Sequence, residues 1–378
     1  MNARESVRAF AVRSERWMLD EAFPFWADRT PSPDGGFYER LDSEGRGISG
    51  EPSRVRLQAR MVFTFALAAE LGWDRARALE LVERGIATLT RDCRRADGLY
   101  GTLVRPGNGL IDDTAQAYDT AFALLAFSYA YRVFALDTAR EAGHAVNRAI
   151  EDVLRYADGS GYRETLPAPP VRAQNPHMHL AEASLAWFDA TDDGAARDRA
   201  TAIADFVQGR FFDADADLLY EHAGDRAIEP HVEVGHLFEW VWILGRMNAL
   251  TDRDDGQWMR ALHAGGVRLV GRHGFLPLSQ YIDGSVREAK QRMWTVTEKL
   301  KGHIAYHRIA PSDAGLTMIA ATAQTLFADH IESALPGAWN DALGPDKVSI
   351  DDAITPATGY HVFLALQELM RFADDLGD

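Results

Sequence analysis

The stretch HVEVGHLFEWVWILGR, His231 to Arg246, is where the sequence first suggests chemistry. Helical spacing places His236 and Glu239 on one face of a segment that is otherwise apolar on nearly every side. A helix that is hydrophobic all round belongs in the core of a large protein, and a histidine and a glutamate inside one call for a use. Other apolar segments carry polar groups at a comparable depth, one or two turns from their starts. These are Arg60, Tyr118, Asn175 with His179, Trp294 with Glu298, and His361. Six segments offering one or two such groups each would suit a ring-shaped pocket.

Each residue also has a plainer reading. Asn175 before Pro176 reads as a helix N-cap followed by proline at the first helical position. Arg60 can be read as an ion pair with Glu39 or Glu51, and Tyr118 and Trp294 as core aromatics. His144, His263 and His330 are assigned to structure or surface. Three histidines at one depth of one layer, His179, His236 and His361, point instead to a site.

Histidine titrates near neutrality, so two of them flanking a sugar chain can take a proton from a carbon beside a carbonyl and return it elsewhere. In that chemistry Arg60 and Tyr118 would stabilise the enediolate oxygen. Glu239 would fix the tautomer of His236 and raise its basicity, and Trp240 and Trp294 would offer flat faces to a sugar ring. One alternative is a zinc site of His236 and Glu239 completed by His179 or His361, although no HExxH or cysteine cluster occurs. Another is an inverting glycosidase using Glu239 with Glu298 or Asp112. Nucleotide binding and a nucleophilic serine are disfavoured, because no GxxxxGK[ST], helix-opening GxGxxG or GxSxG is present.

The elements that must position these groups are helices. Periodicity predicts twelve, at roughly 4–27, 54–72, 74–93, 113–135, 137–157, 176–191, 194–212, 231–249, 253–271, 288–306, 311–331 and 356–375. Helices with a charged face alternate with helices that are apolar nearly all round. Links out of an apolar helix are short, and links into one are long and carry an aromatic. Taking Phe37, Tyr100, Tyr162, Tyr220, Phe275 and Trp339 as markers, the spacings are 63, 62, 58, 55 and 64 residues. Such a period signals repeats of one helix pair each. An open solenoid would end in polar capping helices, but the last helix, GYHVFLALQELMRFADDL, still looks inward-facing. The expectation is an all-α, closed (α/α)6 barrel forming a single domain over residues 1–378.

A net charge of −16 argues against nucleic acid and anionic membrane surfaces as partners. The single cysteine, Cys93, rules out an intrachain disulfide and fits a reducing compartment. The N-terminus is broken by charges and lacks the apolar core of a signal peptide, and no run of apolar residues is long enough for a membrane span. A cytoplasmic location is expected, and monomer and homodimer both remain open.

Together, QARMVFTFA around Arg60, the Asn175-to-His179 spacing, GHLFEW (235–240), WTVTE (294–298) and PATGYH (356–361) resemble the N-acylglucosamine 2-epimerase family. The similarity runs from GGFYERLDSEG to the last helix. It implies a barrel that isomerises or epimerises a monosaccharide without a metal or other cofactor. His236 and His361 then match the pair that shuttles the proton through a cis-enediol, and His179 a third active-site histidine assisting ring opening. Arg60, Tyr118, Asn175 and Glu239 match pocket residues, and Arg226 matches a substrate-contacting arginine ten residues before the GH histidine. LFEW after GH looks most like the D-mannose and sulfoquinovose isomerase branch. That branch predicts interconversion of D-mannose and D-fructose, with D-lyxose and related aldoses, and N-acyl-D-glucosamine or other sugar 2-epimerisation as the alternative.

Overall fold

The computed structural model describes residues 2–169, 171–223, 230–271, 274–332 and 334–376. Two concentric layers of helices make up the fold. The inner layer is α3 (Val55–Glu70), α5 (Ala117–Phe134), α7 (Gln174–Thr191), α9 (Val234–Leu250), α11 (Met293–Ile309) and α13 (Gly359–Asp375). Each packs against the next, and α13 returns to pack against α3, which closes the ring. The outer layer is α1 (Ala3–Trp17) continued by α2 (Phe23–Arg29), then α4 (Arg75–Thr88), α6 (Asp137–Ala149), α8 (Gly194–Phe211), α10 (Gly256–Leu269) and α12 (Asp313–Thr325). The sixth helix pair joins the two ends of the chain: α1 packs on α13, and Arg4 donates to the carbonyl of Leu376 at 2.8 Å. An (α/α)6 barrel is therefore what the alternation of charged and apolar helices builds. No described helix is long and apolar enough to cross a membrane.

Burial follows the sequence pattern. Every residue from Val234 to Leu244 of α9 is buried, whereas α6 buries only Ala139, Gly143, Val146, Asn147 and Ala149. The layers approach closely where glycine permits it: a Cβ on Gly143 would sit 2.1 Å from the Trp187 ring. Short links depend on one residue in the left-handed region. Ala135 (φ 56°) and Asp192 (φ 58°) cap α5 and α7 and turn the chain straight into the next outer helix. Four outer helical segments carry a π-helical turn at their C-terminal ends: Met18–Ala22, Leu89–Cys93, Ile150–Leu154 and Leu326–Ile331. No residue type announces these turns in the sequence.

The long links hold a feature too short to show strand alternation. Immediately before each inner helix, one to three residues pair antiparallel with a neighbouring long link. Residues 53–54 pair with 103–104, 115–116 with 165–166, 172–173 with 222–223, 231–233 with 279–281, and 291–292 with 342–343. Ile354 bridges Leu41 and completes the circuit. This belt explains why α5, α9 and α11 begin at 117, 234 and 293, three to five residues later than their periodicity suggested: the preceding residues spend their backbone groups on the belt. It also fixes where each inner helix starts, and so the height of every side chain in its first two turns.

Candidate functional site

The polar residues picked out by type occupy the second, third or sixth position of their helices. Tyr118, Asn175 and Trp294 are second, His236 and His361 third, and Arg60, His179, Glu239 and Glu298 sixth. With the helix starts pinned by the belt, these positions lie near one end of the barrel.

His236 is buried, and its Nδ1–H donates to Glu221 Oε1 at 2.8 Å. Glu221 lies in the long link before α9, and Gln174 Nε2 also donates to it at 3.1 and 3.2 Å. Trp240 Nε1 donates to Gln174 Oε1 at 2.9 Å and holds that amide in place. Glu233 Oε2 stands 3.8 Å from His236 Nε2. Burial alone would lower the proton affinity of His236, but the carboxylates of Glu221 and Glu233 overcome it and raise the pKa to about 10. Glu233 pays for its own burial with a pKa raised to about 7.

His361 is buried as well, and its Nδ1–H donates to Glu298 Oε1 at 2.7 Å. Behind Glu298 stands Lys301, wholly buried, with Nζ 2.8 Å from Glu298 Oε2 and 3.9 Å from the centre of the Trp242 ring. Burial drives His361 well below its ordinary value, and the charges of Arg60 and Lys301 push the same way. Burial lifts Glu298 to about 7 against the pull of Lys301. The two histidines share a neighbour: the Trp294 ring centre lies 5.0 Å from His236 and 5.7 Å from His361. Gly235 makes room for it, since a Cβ there would fall 2.5 Å from the Trp294 ring.

His179 completes the set. Its Nδ1–H donates to Glu182 at 3.2 Å, its ring meets Tyr118 and Phe122 edge-on or tilted, and burial lowers it to about 4. Tyr360 donates to the same Glu182. Arg60 donates to the Ala357 carbonyl at 3.0 Å and to the Tyr118 hydroxyl at 2.9 Å, with its guanidinium 4.1 Å from the Phe122 ring centre. Neither carboxylate suggested for it is available, because Glu39 pairs with Arg54 and Glu51 with Arg40. Asn175 is not a cap either. Ala173 is the N-cap of α7, and Asn175 Oδ1 is buried without a partner, which leaves it open to a ligand.

Four expectations change. Glu239 does not hold His236; Glu221 does, and Glu239 Oε1 instead lies 4.0 Å from His179 Nδ1. Trp240 offers no face to a sugar, being wholly buried and tilted against Trp258 at 5.6 Å. The zinc arrangement of His236 with Glu239 does not assemble; the carboxylates of Glu182, Glu239 and Glu298 gather instead near the ammonium of Lys301, a poor neighbour for a metal cation. The proposed glycosidase pair fares no better. Glu239 and Glu298 approach within 4.8 Å, where inversion needs roughly 6.5–9.5 Å to admit a water, and Asp112 lies in the link before α5, where its carboxylate accepts from the Thr114 N–H. Arg226 lies outside the described residues.

Sequence reasoning passed over Gln174, Glu182, Glu221, Lys301 and Tyr360. For two of them a signal existed: Glu182 and Lys301 stand three residues after His179 and Glu298, one turn along the same helices. Glu221 sits beside the marker Tyr220 in a link, where periodicity is silent.

The sequence model of the family described as N-acylglucosamine 2-epimerase (GlcNAc 2-epimerase) matches residues 36–365. The chain belongs to that family. A protein from Rhizobium meliloti (strain 1021) named mannose-6-phosphate isomerase is 30% identical over 373 residues, covering 93% of this chain and 95% of its own. A D-mannose isomerase from Thermobifida fusca is 28% identical, covering 79% of this chain and 78% of its own. In fold, the chain resembles the cellobiose 2-epimerase from Spirochaeta thermophila with a TM-score of 0.89 at 21% identity over 99% of both chains. It is a sugar isomerase or epimerase.

Proposed function

We propose that the enzyme interconverts D-mannose and D-fructose, with D-lyxose and related aldoses as further substrates, by proton transfer through a cis-enediol. The observation that carries this reading is a pair of buried histidines against one tryptophan ring, each backed by its own glutamate. His361 is neutral, gives its Nδ1–H to Glu298, and so keeps a lone pair on Nε2. His236, whose proton affinity Glu221 and Glu233 raise, supplies the acid. On the open-chain aldose, His361 removes the proton from C2 while His236 protonates the carbonyl oxygen, giving the enediol. Return of the first proton to C1, with loss of the O2 proton, yields the ketose. Arg60, free of a carboxylate partner in its hydrogen bonds, faces the developing oxyanion, and His179 assists ring opening. No step calls for a nicotinamide, a flavin or a metal.

A phosphorylated hexose is a second reading, prompted by the name of the Rhizobium relative. The guanidiniums next to the helix starts favour the free sugar, since each already faces a carboxylate: Arg54 with Glu39, Arg56 with Asp119, Arg172 with Glu164 and Arg292 with Asp341. The deciding experiment is incubation with D-mannose in heavy water, followed by NMR, with mannose 6-phosphate and N-acetylglucosamine in parallel. Fructose is expected, carrying deuterium at C1 to the extent that His361 exchanges the abstracted proton with solvent before returning it. Label confined to C2 of an epimer would replace isomerisation by epimerisation, and absence of both exchange and ketose with every sugar would overturn the proposal.

A further inference from the structure

Glu239 is the one buried acid at the centre of the barrel that the proton transfer above leaves without work. It is wholly buried, and neither carboxylate oxygen has a hydrogen-bond partner. Charged and titratable groups face it from every side. On α7 these are His179, 4.0 Å away, and Glu182; on α11, Glu298 and Lys301; on α13, His361 and Tyr360; and one turn back on its own helix, His236.

The ammonium and the hydrogen-bond donors around it are already engaged. Lys301 is taken by Glu298 at 2.8 Å, and Glu182 accepts from both His179 and Tyr360. A third carboxylate here would be an anion with no donor and no cation of its own. Such a group binds a proton rather than bear the cost of burial as an ion. The ligating atoms of Glu239, Glu298 and His361 lie within 4.8 Å of one another, as do those of His179, Glu182 and Glu239. Glu239 has no direct hydrogen bond to any of them.

We infer that Glu239 is a neutral carboxylic acid, and that it is a positioning residue keeping His361 in its basic form. An ionised Glu239 would place a second negative charge behind His361 and draw a proton onto its Nε2, removing the base. The side chain thus acts by staying uncharged, at the meeting point of the His179 and His361 carboxylates. This role rests on the proton transfer proposed above, but the first test of it does not.

Infrared spectra of the wild-type protein at mildly alkaline pH, in water and heavy water, should show the carbonyl stretch of a buried protonated carboxyl group. That band should be missing from Glu239→Gln, which keeps shape and neutrality. No such band, or one that persists in the variant, overturns the inference whatever the substrate proves to be. If the enzyme isomerises mannose, the acid limb of the kcat/KM pH profile should stay in place in Glu239→Gln, whatever the change in its height. A shift of that limb to lower pH by about one unit or more would mean that Glu239 works as an anion. Failure of this isosteric variant to fold would also count against a neutral acid.

Discussion

The His236 and His361 dyads look alike from the front and differ from behind. In each, a buried imidazole gives its Nδ1–H to a buried glutamate, at 2.8 Å and 2.7 Å. Glu298 stands on an inner helix with the Lys301 ammonium behind it, while Glu221 stands in a link, backed by the neutral amide of Gln174 and joined by Glu233. The lysine cancels the charge that would otherwise hold a proton on His361. Among the described residues no lysine or arginine is bonded to Glu221, and the carboxylates of Glu221 and Glu233 raise the proton affinity of His236. Burial lowers the proton affinity of both histidines, and they part because carboxylates outweigh it at His236 while Arg60 and Lys301 reinforce it at His361.

The largest effects should come from the histidines themselves. His361→Ala and His236→Ala are each expected to lower kcat by about two orders of magnitude or more, as loss of a general acid–base group does, with circular dichroism unchanged. Near-wild-type turnover in either would remove that residue from the mechanism and end the comparison.

Lys301→Met tests the difference directly. Without the ammonium, the His361–Glu298 pair loses the cation that opposes protonation, so the pair as a whole binds a proton more tightly. The acid limb of kcat/KM should therefore move to higher pH, by about one unit or more. Leaving Glu298 unpaired in the core should also cost about 3–5 kcal/mol in denaturant titrations. An acid limb that stays in place would show that Lys301 serves only to balance buried charge.

Glu221→Gln should act in the opposite sense on the other dyad. His236 loses the carboxylate that holds its proton, and the alkaline limb, governed by that acid, should fall to lower pH. Stability follows the same linkage. A histidine raised from 6.5 to about 10 on folding contributes stability that is fully present below pH 6.5 and is lost as pH rises toward 10. Wild type should lose stability across that window more steeply than Glu221→Gln. Equal slopes in thermal melts would break the assignment of His236 as an imidazolium.

The ring of candidates was legible because a sixfold rhythm of helices has physical causes visible in residue type: apolar all-round segments, charged-face segments and tight reversals at Gly72, Ala135 and Asp192. His236 and His361 stood out as polar residues in apolar helices. What lay beyond reach was whatever depends on chain segments meeting in space. Glu221 reaches His236 from a link with no periodicity, and Glu239, three residues from His236, turns toward His179 because its side chain points into the barrel between α7 and α11. Asn175 looked like a cap because Pro176 follows it, but the belt pairing of 172–173 with 222–223 starts α7 earlier and carries Asn175 into its first turn.

The smallest effect probes how far this logic extends behind His236. Trp240 has no contact with the histidine ring; it acts through Gln174, whose amide it orients by one hydrogen bond of 2.9 Å. Trp240→Phe keeps most of the buried aromatic surface and removes that donor. The loss should be about 1 kcal/mol of stability. A freed Gln174 can turn its oxygen toward Glu221, which would repel the carboxylate and raise its proton affinity. The alkaline limb should then shift slightly to higher pH, opposite to Glu221→Gln, because a more basic Glu221 holds the His236 proton more tightly, with kcat at neutral pH nearly unchanged. A shift in stability alone would place the boundary of the dyad at Gln174. A shift in the pH profile would extend the chain of support to a core tryptophan that never meets the substrate.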